Sequence, residues 1–416
     1  MIGWFAPDIL LACLFPLAVL TLCFRIFPST SLSDIRDLIS LKRPVKKSGP
    51  FSLQTAAKSY ALYPTLARNE LTRMRKSYST LSRAHKRIGY GLGYPRKLDR
   101  LQDATDVNAV VTNAIAHLAQ LEFDVELDGG SGDGSDASLG RVRESLKHFV
   151  RDWSKEGKVE RDRMFKPILD VFKAVDVEER SGQKVLVPGC GLGRLAWEIS
   201  ELGNVYFLIC FLWAELMQES TGYDTTANEL SYFMTLAFRF LLSPMTKFAD
   251  EHSVRPYAHW FSHQRTTDSV FRPIAFPDVV PRLSSTFRLI EQDFVTLTAP
   301  PTSTSELRGY HNVTTLFFID TSVNVIETIE QIFALLRPGG TWINLGPLLW
   351  TGGAQAKVEL SLEEVISLAQ SVGFIFERET GGERSSKTVE CEYTADSLAM
   401  MQWIYKAEFL VARKPK

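Results

Sequence analysis

The stretch VLVPGCGLGRLAWEIS, residues 185–200, sets Gly189, Gly191 and Gly193 at alternate positions between an apolar run and the start of a helical pattern. Glycine lets the backbone approach a ligand that a Cβ would hold off, and the open amides at a helix start face that ligand with partial positive charge. Such a turn suits a nucleotide-like molecule. Its G-x-G-x-G spacing suits one bearing an adenosine and no pyrophosphate. The plain alternative is a tight strand-to-helix turn whose glycines serve packing only.

An adenosine site also calls for a carboxylate at the end of the following strand, about 20 residues on, to grip ribose hydroxyls. The best candidate is Glu229 in YDTTANELSYFM, but it lies 40 residues beyond Gly189. Between them runs NVYFLICFLWAELMQESTG, residues 204–222, largely apolar. Removing it restores the spacing, so this segment reads as an insertion. An apolar loop is ill suited to a solvated surface. Three readings stand: an extra buried helix, a membrane-touching segment, or translated non-coding sequence, of which the last fits best.

These residues need a scaffold. From residue 184 short β-rich runs alternate with helical stretches, which predicts βαβ units and a parallel sheet. Predicted strands are 184–189, 223–227, 314–320, 341–346, 374–379 and 408–414, the last two forming a closing antiparallel pair; FRLI before Asp293 is also strand-like. Upstream, residues 51–125 are helical in character, with Val107, Val110, Val111, Ile115, Leu118 and Leu121 near one face. A Gly/Ser/Asp-rich loop, 128–140, precedes another helix in RVRESLKHFVRDWSKEG. The organisation is therefore an apolar segment and linker at 1–50, a helical region at 51–165, and an α/β domain at 166–416 with the 204–222 insertion.

Composition narrows the function classes. The 416 residues carry 47 basic and 48 acidic side chains, a net charge of -1, and 45% are hydrophobic, so a large core forms and no basic excess draws nucleic acid. A small-molecule substrate fits better. The five cysteines, Cys13, Cys23, Cys190, Cys210 and Cys391, include no C-x-x-C pair and read as reduced thiols of the cytosol or nucleus, with no metal site. Residues 9–24, ILLACLFPLAVLTLCF, fall short of the roughly 20 apolar residues of a full span and lack a positive leader. Membrane anchoring through this run is the alternative localisation, and a homodimer stays open.

The segments FVRDWSKEGKVERD, VLVPGCGLGRLAWEISELG, ANELSYFM, FFIDTSVNVIETIEQIFALLRPGGTWINLGPLLW and YTADSLAMMQWIYKAEFLVARKP together resemble the carnosine N-methyltransferase family, over residues 60–416 apart from 204–222. That resemblance implies a Rossmann-like, seven-stranded class I methyltransferase sheet with an N-terminal helical extension. It implies S-adenosylmethionine as cofactor and methyl transfer to an imidazole nitrogen of carnosine, giving anserine. In the family a Gln and an Arg ahead of the core reach the cofactor; the matching positions are His148 and Arg151, so the Gln is replaced. Gly189, Gly191, Gly193 and Glu229 match the glycine loop and ribose carboxylate, and Asp293 matches the acid near the adenine. For substrate, Asp320 matches the imidazole-side aspartate and Tyr393 and Tyr405 match tyrosines of the C-terminal segment. A family histidine falls at Thr351, a departure that bears on the substrate more than on the cofactor.

Each position has a plainer role to exclude. Asp320 caps the next helix, Tyr405 is a core tyrosine, His148 is merely packed, Arg151 pairs with a nearby carboxylate, or Asp293 is a loop residue. Rival functions are methylation of protein histidine or another small imidazole, a nicotinamide-dependent oxidoreductase, and an impaired adenosyl-binding protein. Against the oxidoreductase, the third glycine comes one residue early for G-x-G-x-x-G.

Overall fold

A computed structural model describes residues 49–125, 127, 137–203, 222–300, 308–350, 355–376 and 386–416. The 9–24 run, most of the 204–222 insertion and Thr351 lie outside them.

The helical region begins with α1 (Leu53–Ser79), capped by the Ser52 hydroxyl, which accepts from Thr55 N. A short α2 (Arg83–Gly91) turns the chain into α3 (Tyr94–Phe123), which starts with a proline in its first turn. The face α3 buries runs through Ala104, Asn108, Val111, Ile115 and Leu118. Val110 and Leu121, placed on that face by the sequence reading, are exposed, because at about 3.6 residues per turn they fall roughly 100° round the helix from the centre of that stripe. Next come α4 (Leu139–Trp153) and α5 (Lys158–Lys173). The expected division at 165/166 falls inside α5. One hydrophobic cluster joins Tyr60, Ile115, Phe149 and Trp153 of the helices to Val185, Ala227 and Ile343 of the sheet.

The strands are β1 (Lys184–Pro188), β2 (Asp224–Glu229), β3 (His252–Val254), β4 (Ile274–Phe276), β5 (Phe287–Glu291), β6 (Tyr310–Leu316), β7 (Leu336–Gly346), β8 (Ile375–Phe376), β9 (Ser386–Cys391) and β10 (Tyr405–Arg413). The main sheet runs β5-β2-β1-β6-β7-β10-β8, and β3 and β4 form a small separate pair. β5, β2, β1, β6 and β7 pair in parallel, while β10 is antiparallel to β7 and β8. This is the class I methyltransferase strand order. The sheet has eight strands rather than seven. β9, absent from the sequence reading, lies along Tyr405–Leu410 of β10, while β8 pairs with Ala412 and Arg413. Between the strands pack α6 (Arg194–Glu201), α7 (Tyr232–Leu242), α8 (Val325–Leu335) and α9 (Leu362–Val372), the last opened by a Ser361–Glu364 capping box.

The strand order reverses between β1 and β6, and ligands of open α/β sheets bind in the crevice beyond the carboxyl ends at that point. The glycine loop follows β1, Glu229 ends β2, Asp293 follows β5, and Phe317 to Asp320 follow β6. Gly222 lies so close to Ser200 and Leu202 that a Cβ would meet the Ser200 carbonyl at 1.8 Å. The chain thus resumes, at Gly222, beside the end of α6.

Candidate active site

The turn after β1 is built as its glycines demand. Gly189, Gly191 and Gly193 all have left-handed φ, at 61°, 57° and 73°. A Cβ on Gly189 would strike the Phe318 ring and one on Gly193 the Phe238 ring, each at 2.4 Å. At Gly191 the space is open except for the Arg151 guanidinium, 3.7 Å away. Gly189 and Gly193 therefore serve packing as well as turn geometry, while Gly191 leaves a surface that a ligand can approach. The loop is pinned from outside: Trp153 Nε1 donates to Leu192 O at 2.9 Å and Cys190 N to Asn228 O at 3.0 Å.

Glu229 stands beside this loop. One carboxylate oxygen accepts from Gly191 N at 2.9 Å, and the other from Leu230 N and Ser231 N at 3.0 and 2.9 Å. Burial raises its pKa, and the three amides oppose that shift. Asn228 Nδ2 donates to Ile290 O and Gln292 O, which ties the end of β2 to the end of β5. Asp293 comes directly after, its Oδ1 accepting from Val295 N at 3.2 Å. The ribose-side and adenine-side acids of the sequence reading thus lie along one sheet edge.

His148 and Arg151 come from the last turns of α4, which ends at the glycine loop. Both are buried, and the sequence reading missed the residue that organises them, Asp152. Arg151 donates to Asp152 through Nε at 2.6 Å and Nη2 at 2.9 Å, and His148 Nδ1 lies 3.6 Å from the same carboxylate. Burial works against a charged Asp152, but Arg151 and His148 overcome it and hold its pKa low. Burial, helped by Arg151, pushes the His148 pKa down, so its ring is neutral at neutral pH. Arg151 Nη1 is buried without a hydrogen bond. Arg151, Asp152, Gly189, Cys190, Gly191 and Tyr393 line one small pocket. A buried guanidinium with a spare donor beside an open glycine is ready for a ligand carboxylate. The adjacent R-D pair, with His at i−4 of the Asp, was the available signal.

On the other side of the pocket stands an aromatic group. Tyr393 carries the Arg151 guanidinium 4.5 Å from its ring centroid and the His148 ring edge-on at 5.7 Å. Its turn is fixed by Glu160, which accepts from Thr394 N and Ala395 N at 2.5 and 3.2 Å. The His252–Asp278 segment braces the same turn: Tyr257 Oη donates to Ala395 O at 3.1 Å, and Arg272 and Gln264 hold Asp396. Asp320, in a short turn after β6, is 5% exposed and accepts from Leu349 N at 3.0 Å. Burial raises its pKa to about 6. It does not cap the next helix, whose N-cap is Asn324. Tyr405 opens β10, and its pKa is raised by burial and then by the neighbouring Asp320 carboxylate. Arg151, Gly189, Gly191 and Tyr393 thus share one pocket, Glu229 bonds its loop, and Asp320 and Tyr405 neighbour each other, while Asp293 is placed only by its position after β5. A broad open groove elsewhere, lined by Tyr78, His85, Tyr94 and Lys97, belongs to the helical region.

Comparison with known proteins follows the same lines. A family model described as carnosine N-methyltransferase matches residues 131–207 and 210–416. The carnosine N-methyltransferase of Rattus norvegicus is 34% identical over 337 residues, 78% of this chain and 76% of the rat protein. That of Schizosaccharomyces pombe is 30% identical over 388 residues, 88% of this chain and 96% of its own. Among solved structures, phosphoethanolamine N-methyltransferase 2 of Haemonchus contortus in complex with S-adenosyl-L-methionine superposes with a TM-score of 0.37 at 14% identity. It covers 68% of this chain and 60% of its own, a likeness too distant to add to the strand order.

Proposed function

Since the chain belongs to the carnosine N-methyltransferase family, we propose that it methylates an imidazole nitrogen of carnosine or a related histidine-containing dipeptide, with S-adenosylmethionine as donor. What supports this reading is that a glycine loop bonded to Glu229 follows β1, while Asp320 and its neighbour Tyr405 lie past β6, on either side of the strand-order reversal.

The residues fit the cofactor on two counts. Arg151 Nη1 is an orphaned buried donor suited to the amino-acid carboxylate, and the open position at Gly191 forms a cradle that a side chain would fill. Glu229 takes the ribose hydroxyls and Asp293 the adenine side. When bound, the cofactor supplies an electrophilic methyl group on a positively charged sulfur.

The chain's own residues do the rest. An imidazole of pKa roughly 6.5 is mostly neutral at cytosolic pH and is already nucleophilic, so positioning provides much of the rate. Asp320 accepts a hydrogen bond from the ring nitrogen that is not methylated. It thereby fixes the tautomer and stabilises the positive charge growing on the ring. Its surroundings serve this role: a carboxylate with one hydrogen bond from Leu349 keeps acceptor capacity for a substrate N–H. Tyr405, beside it, orients the ring or the peptide amide, and Tyr393 separates the imidazole from Arg151. The two described thiols, Cys190 and Cys391, are free, which suits a reducing cytosol as the place of action. Among the described residues no helix is long and apolar enough to cross a membrane.

The test is a titration followed by an assay. Purified protein is expected to bind S-adenosylhomocysteine in calorimetry, and to methylate free carnosine in preference to histidine within a protein-derived peptide. Absence of binding removes the cofactor reading, and preference for the peptide replaces the substrate.

A further inference from the structure

Two adjacent phenylalanines leave β6 in different directions. β6 ends at Leu316, and the left-handed backbone of Phe317, φ 50°, turns the chain out of the strand. The Phe318 ring packs against Gly189 of the glycine loop and meets Phe294 edge-on at 5.3 Å. The Phe317 ring instead stacks on Tyr393, centroids 4.6 Å apart and planes 26° apart, and meets Tyr405 at 5.4 Å and 90°.

A bulky side chain at such a φ is rare and strained, and it persists only where its surroundings over-determine it; such residues cluster at functional sites. The surroundings here do so. Phe317 N donates to Leu345 O at 2.8 Å, and the backbone of Phe317 presses on Gly346, where a Cβ would stand 3.2 Å from it. The result of the kink is a half-buried aromatic ring one turn ahead of Asp320, between Tyr393 and Tyr405. Tyr393 is already committed to Arg151, His148 and Phe317 itself.

We propose that Phe317 is a catalytic residue of the methyl transfer, its ring forming with Tyr405 the aromatic wall that holds the imidazole and stabilises the cation it becomes. This rests on the function proposed above. In the transfer the ring nitrogen's lone pair forms the N–CH3 bond as the S–C bond breaks and leaves its electron pair on sulfur. The positive charge passes to the imidazole, which then releases its other N–H proton toward Asp320. Aromatic faces attract cations, and the attraction grows in a desolvated site. A wall at this place therefore favours the charged ring over the neutral one. Asp320 supplies the negative charge in the ring plane and Phe317 the negative face across it.

The experiment uses the full chain and its own cofactor. Phe317→Leu is expected to lower kcat for carnosine about 3- to 30-fold, with S-adenosylhomocysteine affinity within about 2-fold of wild type, and Phe317→Tyr is expected to restore most of the loss. The specific readout is binding of two probes: carnosine methylated on both ring nitrogens, a permanent cation, and the singly methylated product at pH 8.5, which is neutral. Wild type prefers the cation and Phe317→Leu loses that preference. Phe317→Gly relieves the backbone but removes the ring and its packing on Tyr393 and Tyr405, so it is expected to fold, checked by S-adenosylhomocysteine binding, while turning over slowly. Equal loss of both probes in Phe317→Leu, or full turnover in Phe317→Gly, overturns the proposal. Failure of wild type to bind S-adenosylhomocysteine would instead overturn the function on which it rests.

Discussion

Asp320→Asn separates catalysis from stability at one atom. Asparagine keeps the shape and can still accept from Leu349 N through its own oxygen, so the local structure is preserved. The charge is lost. If Asp320 stabilises the growing imidazolium, the loss resembles removal of one donor from an oxyanion hole, about 10²- to 10³-fold in kcat. Stability moves the other way. Burial raises the Asp320 pKa from 3.8 to about 6, so the folded protein keeps this proton where the unfolded chain has released it. The cost of the buried charge is absent below pH 4, accumulates between pH 4 and 6, and is complete above pH 6. Two pKa units correspond to about 3 kcal/mol, an upper figure. At pH 8 the variant is therefore expected to melt a few degrees above wild type, and at pH 4 the difference is expected to vanish. Steady-state methylation assays and calorimetric melting at the two pH values check both halves. A variant with wild-type turnover, or one destabilised equally at both pH values, would refute the assignment.

Other outcomes follow from the same geometry. Arg151→Met removes the spare donor at Nη1, and is expected to weaken S-adenosylhomocysteine binding more than 10-fold while leaving 5′-methylthioadenosine, which lacks the carboxylate, nearly unchanged in competition titrations. Wild-type turnover at saturating cofactor should fall steeply as pH drops through about 6, because both Asp320 and the substrate imidazole take up protons, and the Asn variant should keep only the shallower, single-proton limb of the substrate in a pH–rate profile. Gly193→Ala brings a Cβ to 2.4 Å from Phe238 at a left-handed φ, and should destabilise the fold by about 1–3 kcal/mol in denaturant unfolding. Deletion of residues 204–221, with Gly203 joined to Gly222, should leave the melting temperature unchanged or higher and cofactor binding intact.

The elements that carry the site were legible because their signals are local. The glycine loop follows from three residue types at alternate positions, and the strand runs from apolar clustering. Asp293, Asp320 and Tyr405 came through the family resemblance, and the fold sets Asp320 beside Tyr405. What escaped the sequence has physical reasons. β9 reads SKTVEC with only one buried position, Cys391, so it lacks the apolar alternation that marks a half-buried strand. The exposure of Val110 and Leu121 arises because alanines and polar Thr105, Asn108 and Thr112 fill part of the buried stripe of α3, so apolarity alone does not mark its face. Phe317 has a left-handed backbone that no residue type announces, since the tertiary bond to Leu345 imposes it. Asp152 has its partners Arg151 and His148 on its own helix, so their spacing was visible, but only the burial of that turn makes the trio an organising centre.

The most direct measurement is transfer itself. Protein incubated with carnosine and S-adenosylmethionine labelled with ¹³C in its methyl group is followed by NMR of the dipeptide. A single new ¹³C-methyl resonance coupled to imidazole ring protons is expected, dependent on Asp320 and Glu229. Label appearing on the dipeptide's amine, or remaining on sulfur while the protein is folded and saturated with cofactor, would contradict it.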